Sequence, residues 1–566
     1  MRLPQLNAIA KSVDYRIEFK GLNHNLYVGE GEFWDTQNLA ATNYPVMTPR
    51  AARGLVTTIT EPQGLYARGK LCWAADKKLY YNGTQVAGVS LSAGQKQFVG
   101  MGAYIIIFPD GIRYNTSNGQ VDSLAASWAQ TATASITLCR LDGSDYNNVT
   151  VSESAPTDAE EGDYWLDTSE TPHALKILSY GSWQTITTTY AKIESTNVGA
   201  DFKAGDAVEI SGGPDAVNGS HEIAARGTDY IVIPCVLDTS ATVASGMAVA
   251  RSVPAMDYVC ELNNRLWGCS STKHEIYCCK LGDPTNWNSL GTGAADAWAA
   301  TVGSDGDFTG CCSFGGSVLF FKEDMLHKLF GNKPSNFQIN DQPLRGVQKG
   351  SEESLCVLGE SLLYKARDGV MIYDSGQPML ISQGLGTGLY QKAAAGALGD
   401  KYYISMQDEE NAWSLFVFNV EKGMWHREDA THATYFAALN GQLYFLTEAG
   451  KLTAVYGRRE TGATVEDPFD WYAETGDMLI DQPDNKYISR IQVRASVAQE
   501  ATLKIEAMYD SSGDWITIYR RGKSRKASFT VPIIPARCDH LRLRISGHGQ
   551  SAVYAISKET ERGSEL

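Results

Sequence analysis

From Phe308 to Tyr456 one short pattern recurs four times. The copies open near Phe308, Glu353, Gln391 and Thr431, a period of about 40 residues, the length of a four-stranded propeller blade. Each copy is an apolar run, a Gly-containing turn, and a second apolar run rich in Tyr and Phe. Ser313-Phe314-Gly315-Gly316 leads into Ser317 to Phe321, and Val357-Leu358-Gly359-Glu360 into Ser361 to Tyr364. Ala397-Leu398-Gly399-Asp400 leads into Lys401 to Ile404, and Leu439-Asn440-Gly441-Gln442 into Leu443 to Phe445. Gly supplies the positive φ that a two-residue hairpin turn requires. The runs are too short for helices and rich in β-formers, so they predict strands. A third strand is expected at Met325 to Leu329, Val370 to Tyr373, Leu415 to Phe418 and Leu452 to Tyr456.

The same cadence occurs at Gly64 to Tyr81, at Gln97 to Tyr114 and at Asp257 to Cys279. That makes seven units, two before a break and five after it. The unbroken Ile105-Ile106-Ile107 predicts a strand buried on both faces. The fold expected is therefore all-β: a β-propeller of about seven blades, with inserted small β modules and a C-terminal β-sandwich. The expected boundaries are an N-terminal arm over 1–60, propeller over 61–130 and 253–457, and a sandwich over 458–566. A first inserted module spans 131–190 and a second, barrel-like, spans 191–252. The arm either packs on the first blade or lends a strand to the last one, removing an open edge. In the C-terminal segment six alternating runs between Lys486 and Ile556 carry the sandwich signal.

The chain has 566 residues, enough for roughly three to five modules. Its 43% hydrophobic and 20% charged content is that of a folded protein. A formal charge of −16 disfavours a tight nucleic-acid binder, which needs a basic footprint. It is compatible with an acidic passage that repels phosphate. Met1 to Ala10 lacks the apolar core of a signal peptide. With eleven cysteines, that leads us to expect free thiols in a reducing cytoplasm. No window is long and apolar enough for a transmembrane helix, so no membrane is expected.

Chemistry-bearing motifs are sparse. There is no GxSxG, HExxH or P-loop, and no GxGxxG follows a strand. The pairs Cys278-Cys279 and Cys311-Cys312 lack zinc-knuckle spacing, and strand neighbours point to opposite faces. His426 and His540 stand out among nine histidines, yet a proton-transfer role needs a positioned partner. Asp305-Gly306-Asp307 and Asp408-Glu409-Glu410 read as acidic turns. Trp165 and Trp183 of the insertion read first as core, and otherwise as a flat face for sugars or peptides. The one strong basic cluster is Arg520-Arg521-Gly522-Lys523-Ser524-Arg525-Lys526, on a predicted hairpin tip. No catalytic, cofactor or metal residue is therefore assigned, and no enzyme is expected.

Several segments resemble blades of bacteriophage virion propellers. They are Arg265-Leu266-Trp267-Gly268, Glu275-Ile276-Tyr277, Leu281 to Trp287, Phe320 to Asp324 with Leu329-Phe330-Gly331, Asp368 to Tyr373, and Gly423 to Asp429. Pro532 to His540 is similar to phage and prophage structural proteins, and Gly162 to Asp167 to small tail modules. The family resembled is the tail hub, or nozzle, of short-tailed phages, also described as packaged-DNA stabilisation proteins. The resemblance implies a homo-oligomeric ring, typically of six subunits, in the virion tail and assembled in the host cytoplasm. It implies portal and adaptor proteins above and tail fibre or needle proteins as further partners. DNA would pass the lumen without sequence-specific binding, and no cofactor is implied. An alternative of a different class is a glycan-engaging propeller, a receptor-binding tail protein or a glycoside hydrolase. That one requires convergent carboxylates.

Overall fold

The structure, a computed structural model, describes residues 11–290, 293–478, 486–533 and 537–562. Met1 to Ala10, read above for a signal peptide, and Ile534-Pro535-Ala536 of the phage-like ending lie outside the described residues. Among the described residues the architecture is all-β, with only short 3-10 turns besides strands.

Seven sheets have the meander order of propeller blades. Blade 1 runs Pro62–Arg68, Lys70–Ala75, Lys78–Tyr81, Thr84–Gln85. Blade 2 runs Gln97–Met101, Tyr104–Phe108, Ile112–Asn115, Val121–Ser123. Blade 3 runs Tyr258–Leu262, Arg265–Ser270, Glu275–Cys278, Trp298–Thr301. Blade 4 runs Gly310–Phe314, Ser317–Phe321, Met325–Phe330, Gln338–Pro343. Blade 5 runs Cys356–Leu358, Ser361–Ala366, Gly369–Tyr373, Met379–Leu380. Blade 6 runs Tyr390–Leu398, Lys401–Asp408, Trp413–Asn419, Met424–Asp429. Blade 7 takes Ala433–Leu439, Gln442–Thr447 and Lys451–Ala454 from its own segment. Its fourth strand is Gly54–Thr58, antiparallel to Lys451–Ala454, so the N-terminal segment does lend a strand to the last blade.

The local chemistry is the one expected from sequence. Asn440 (φ 51°) and Gly441 (φ 73°) both occupy the left-handed region, the requirement of a type I′ hairpin. Ile105, Ile106 and Ile107 are fully buried. The chain divides into two compact units. In the one holding residues up to Gln95 and from Gln342 onward, the first strands of blades 5, 6, 7 and 1 pack in succession. In the other, mainly Lys96–Phe320, those of blades 2, 3 and 4 do so. Each interface is an apolar seam, such as Trp267, Ile276, Val318 and Phe320 between blades 3 and 4. A fully buried Leu, Ile or Phe contributes about 1.5–3 kcal/mol, so the seams, more than any polar contact, hold blade to blade.

Three boundaries differ from the sequence reading. Residues 11–60 do more than pack on the first blade or close the last one. Lys11–Arg16 pairs with the C-terminal Ser551–Arg562, and Gly21–Leu22 with Glu32–Gln37 bridges Met424–Asp429 to Asp470–Thr475. One ten-stranded sheet thus runs from blade 6 through these residues into Leu541–His548, Thr502–Tyr509 and Ile516–Arg521. The segment after 458 is accordingly a sandwich that shares a sheet with a blade, and Thr464–Val465 still pairs with blade 7's Gly54–Thr58. The insertions, finally, are nested rather than consecutive. Ala126–Ala129 and Ala134–Cys139 pair with strands between Tyr190 and Arg251 around one core that includes Trp128, Ile136, Ile193 and Val249. The sheet Val149–Ser152, Tyr164–Asp167, Ala174–Ser179, Ser182–Thr185 emerges from within that barrel. Linear cadence misplaces the cut at 190 because pairing between strands tens of residues apart leaves no local mark.

Phe33 lies in the sandwich core, 2% exposed. Phe33→Ala should cost about 3–5 kcal/mol by leaving a cavity. The measurement is hydrogen exchange at 491–497, and unchanged protection there would mean that the N-terminal residues are only appended.

Candidate functional site

A dense polar constellation lies where residues 38–53 meet blades 6 and 7. The segment Pro49-Arg50-Ala51-Ala52-Arg53-Gly54 enters blade 7 with two almost fully buried arginines. Arg53 donates to Glu428 Oε2 at 2.5 Å, to Asp429 Oδ2 at 2.7 Å and to Thr431 Oγ1 at 3.1 Å. Arg50 donates to Asn38 Oδ1 at 2.8 Å and to Glu466 Oε1 at 2.7 Å, and lies over the Phe469 ring at 4.1 Å. Two guanidiniums thus pair with three carboxylates drawn from blade 6's last strand and from the segment after blade 7. Burial raises Asp429, but the Arg53 charge and the Thr431 hydroxyl outweigh it and hold its carboxyl below the ordinary range. The Arg53 guanidinium is lowered by burial and raised more strongly by Glu428 and Asp429.

The backbones also close tightly here. A Cβ on Gly457 would meet the Arg53 carbonyl carbon at 2.4 Å, and one on Gly54 the Gly457 Cα at 2.7 Å. A second layer joins the same three parts, since Arg427 donates to Asp35 Oδ2 at 2.9 Å and to the Tyr472 hydroxyl at 2.7 Å. Nothing local in the sequence marks these residues beyond two Arg spaced by three in a small-residue segment. Their partners are nearly 400 positions away.

A second constellation has the residue types of a catalytic triad. Ser304 Oγ lies 2.8 Å from His327 Nε2, and His327 Nδ1 lies 2.5 Å from Asp341 Oδ1. Its exposure is inverted relative to a hydrolase, in which the Asp is buried and the imidazole faces the substrate. Here His327 is fully enclosed while the Asp341 side chain is 55% exposed. The relay instead ties the segment before blade 4 to that blade's third and fourth strands.

The residues singled out from sequence fall as follows. His426 is buried, and burial together with the Lys401 charge lowers its pKa to about 4, so the imidazole is neutral. His540 shares hydrogen bonds with Ser511 at 2.7 Å and Asp539 at 3.1 Å, on a turn of the sandwich. Asp408 Oδ1 accepts the backbone N–H groups of Glu410 and Ala412, building its own turn. Asp305 and Asp307 lie exposed around Gly306. Trp165 is buried, donates to Ser152 O at 3.0 Å and meets the half-buried Trp183 edge-on at 5.5 Å, so Trp165 packs inward with Trp183 at its margin. Cys278 and Cys279 are fully buried in blade 3.

The basic cluster does not sit on the expected hairpin tip: it spans the crossover from Ile516–Arg521, paired with Thr502–Tyr509 in the ten-stranded sheet, to Ser524–Val531, paired with Lys486–Val497 in the other sheet of the sandwich. Arg520, Lys523, Arg525 and Lys526 are exposed, and among the described residues none of the four makes an ion pair. Arg521 lies over the Phe529 ring at 4.7 Å, Lys526 over Tyr554 at 4.0 Å, and Tyr519 stacks on Phe529. The crossover therefore presents cations braced on aromatic rings.

Two cavities are relevant to ligands. One of about 50 Å³ lies under Phe19, Phe33 and Met478, rimmed by Asp14, Arg16, Glu30 and Lys558; it is too small for an organic substrate. A cleft of about 660 Å³ opens between blades 7 and 1, lined by Lys70, Trp73, Asn82, Asn440, Tyr444 and Glu460 among others. It presents one carboxylate, Glu460, and that group accepts the Tyr444 hydroxyl at 2.5 Å.

No known family's sequence profile matches the chain, and no curated protein matches it. Among solved structures it is similar to U3-55K, with 9% identity over 71% of this chain and 98% of that one, at a TM-score of 0.29. It is similar to Chaetomium thermophilum Raptor, with 9% identity over 74% of this chain and 29% of that one, at 0.29. It is also similar to an exo-beta-1,3-galactanase from Phanerochaete chrysosporium, with 7% identity over 53% of this chain and 94% of that one, at 0.20. At such scores the fold class rests on the chain's own sheets.

Arg53→Ala strands Glu428 and Asp429 and should cost about 3–5 kcal/mol, read by denaturant unfolding. The depressed Asp429 contributes stability above the ordinary carboxylate pKa and loses it as pH falls through its folded value. His426 adds a second acid-sensitive window. Its pKa is 6.5 in the unfolded reference and about 4 in the fold, so stability should fall as pH drops from 6.5 towards 4. His426→Phe should flatten that part of a urea-midpoint profile.

Proposed function

We propose that the chain is a structural virion protein, a subunit of the ring that forms the hub or nozzle of a short-tailed phage. The observation that supports this reading is the ten-stranded sheet that makes blade 6, the N-terminal residues and the C-terminal sandwich one hydrogen-bonded body. A part that withstands packaged DNA must not yield between modules, and continuous backbone pairing with a buried double-arginine junction opposes such yielding. In the proposed ring, copies meet through identical contacts around one axis. DNA passes the lumen without sequence reading, held off by a body carrying a −16 charge. The cations of the Arg520–Lys526 crossover, which make no ion pair among the described residues, serve as the contact to an acidic neighbour among the portal, adaptor, fibre or needle proteins. The glycan-cleaving alternative needs two facing carboxylates, whereas the ligand-sized cleft between blades 7 and 1 offers Glu460, already engaged by Tyr444.

The test is the mass of the purified protein, by sedimentation or mass photometry, alone and with a portal–adaptor complex. Closed rings, or assembly on that complex, are expected. A chain that stays monomeric at high concentration and hydrolyses polysaccharide would sink the proposal.

A further inference from the structure

The first strands of blades 3 and 4, Tyr258–Leu262 and Gly310–Phe314, lie against each other. Across that seam the sulfur atoms of Cys260 and Cys311 approach to 3.0 Å. Both residues are partly buried at the margin of the core formed by Trp267, Cys269, Ile276, Val318 and Phe320. The blades are otherwise joined here by packing, with the two strands in separate sheets. Cys312, next in the chain, projects from the opposite face of its strand. Cys278 and Cys279 are fully buried. Among the eleven thiols, Cys260 and Cys311 thus combine contact distance, partial access and positions on two different blades.

A disulfide needs its sulfurs about 2.05 Å apart, so the pair has roughly 1 Å to close, within reach of small side-chain rotations. We propose that Cys260 and Cys311 form a redox-modifiable pair whose oxidation staples blade 3 to blade 4. The oxidant is a low-molecular-weight disulfide such as oxidised glutathione. The Cys260 thiolate attacks one sulfur of that disulfide, giving a Cys260–glutathione mixed disulfide and releasing one glutathione thiolate. The Cys311 thiolate then attacks the Cys260 sulfur and expels the second glutathione thiolate. The net change is two protein thiols oxidised to one disulfide and one glutathione disulfide reduced to two glutathiones. Burial, together with the neighbouring Cys260 sulfur, raises the Cys311 thiol well above its ordinary pKa and keeps it mostly protonated, so the second step relies on the 3.0 Å proximity of the two sulfurs. The bond would span the whole of blade 3, and closing a loop of that length restricts the unfolded chain strongly.

The experiment is thiol mapping on the full-length native protein. The protein is incubated with oxidised glutathione, alkylated after denaturation, digested and analysed by mass spectrometry. Two of the eleven thiols should become protected. A cross-linked peptide pair carrying Cys260 and Cys311 should appear, and dithiothreitol should abolish it. The thermal midpoint of the oxidised protein should rise by several degrees and return on reduction. Cys311→Ser should remove the cross-link and leave glutathione on Cys260. The inference is overturned if both cysteines are recovered singly alkylated, if Cys260 pairs with Cys312 or another thiol, or if stable glutathione adducts form on both. Should Cys311→Ser fail to fold, the map of the unaltered protein decides alone. The outcome is independent of the oligomeric state, so it stands or falls separately from the ring proposal.

Discussion

Edge strands are the constraint on which this structure depends. A blade's outer strand leaves backbone groups unpaired unless another segment meets it, and a chain of such sheets would pair with other chains unless its edges were closed. In this protein the closing strands come from the first sixty residues. Gly54–Thr58 covers the outer edge of blade 7, and Gly21–Leu22 covers that of blade 6. Lys11–Arg16 lies on the sandwich. Strands within residues 11–58 thus hydrogen-bond strands that are synthesised hundreds of residues later. One consequence is that blade 7 and the sandwich cannot be completed locally. They need both ends of the chain.

The polar chemistry follows from that closure. Where the N-terminal residues cross between blades, Arg50 and Arg53 are carried into the interior, and the fold meets them with Glu428, Asp429 and Glu466. Replacing such a cluster by apolar groups can be neutral in energy, whereas removing one partner is costly. Its effect is to specify one docking, because a shifted register would leave charges unpaired. A similar logic governs the inserted barrel. There Asp206, fully buried, pairs with Arg251, while Asn286 of the segment leading out of blade 3's third strand accepts the Ala207 N–H at 2.9 Å. Ser304, His327 and Asp341 do the same between blade 4 and the segment before it. Residue types associated with catalysis serve in these places to register one strand segment on another, and their exposure pattern is what distinguishes the two uses.

How much of this was legible depends on range. The central strands of all seven blades could be read, because Ile105-Ile106-Ile107, Leu362-Leu363-Tyr364 and Leu443-Tyr444-Phe445 are buried on both faces and must be continuously apolar. The outer strands were poorly legible. Met379–Leu380 is two residues long, and Gln338–Pro343 is largely exposed, so neither carries a pattern. The insertion boundaries were misread since Ala134–Cys139 looks like any short strand. Its partners at Tyr190–Glu194 and Ala241–Val243 are set by the barrel core.

The sequence by itself determined the kind of unit and its number. Gly-punctuated apolar runs at a regular spacing admit only short antiparallel strands, and hairpin turns are decided by adjacent residues such as Asn440 and Gly441. Only the tertiary structure decided what closes those units and which side chains meet. The Arg53–Glu428 pair, the Ser304–His327–Asp341 relay and the Cys260–Cys311 contact join positions between 14 and 375 residues apart. Such contacts arise from the path of the backbone through space. The free energy selecting that path is summed over whole apolar seams, so no single residue along the chain announces it.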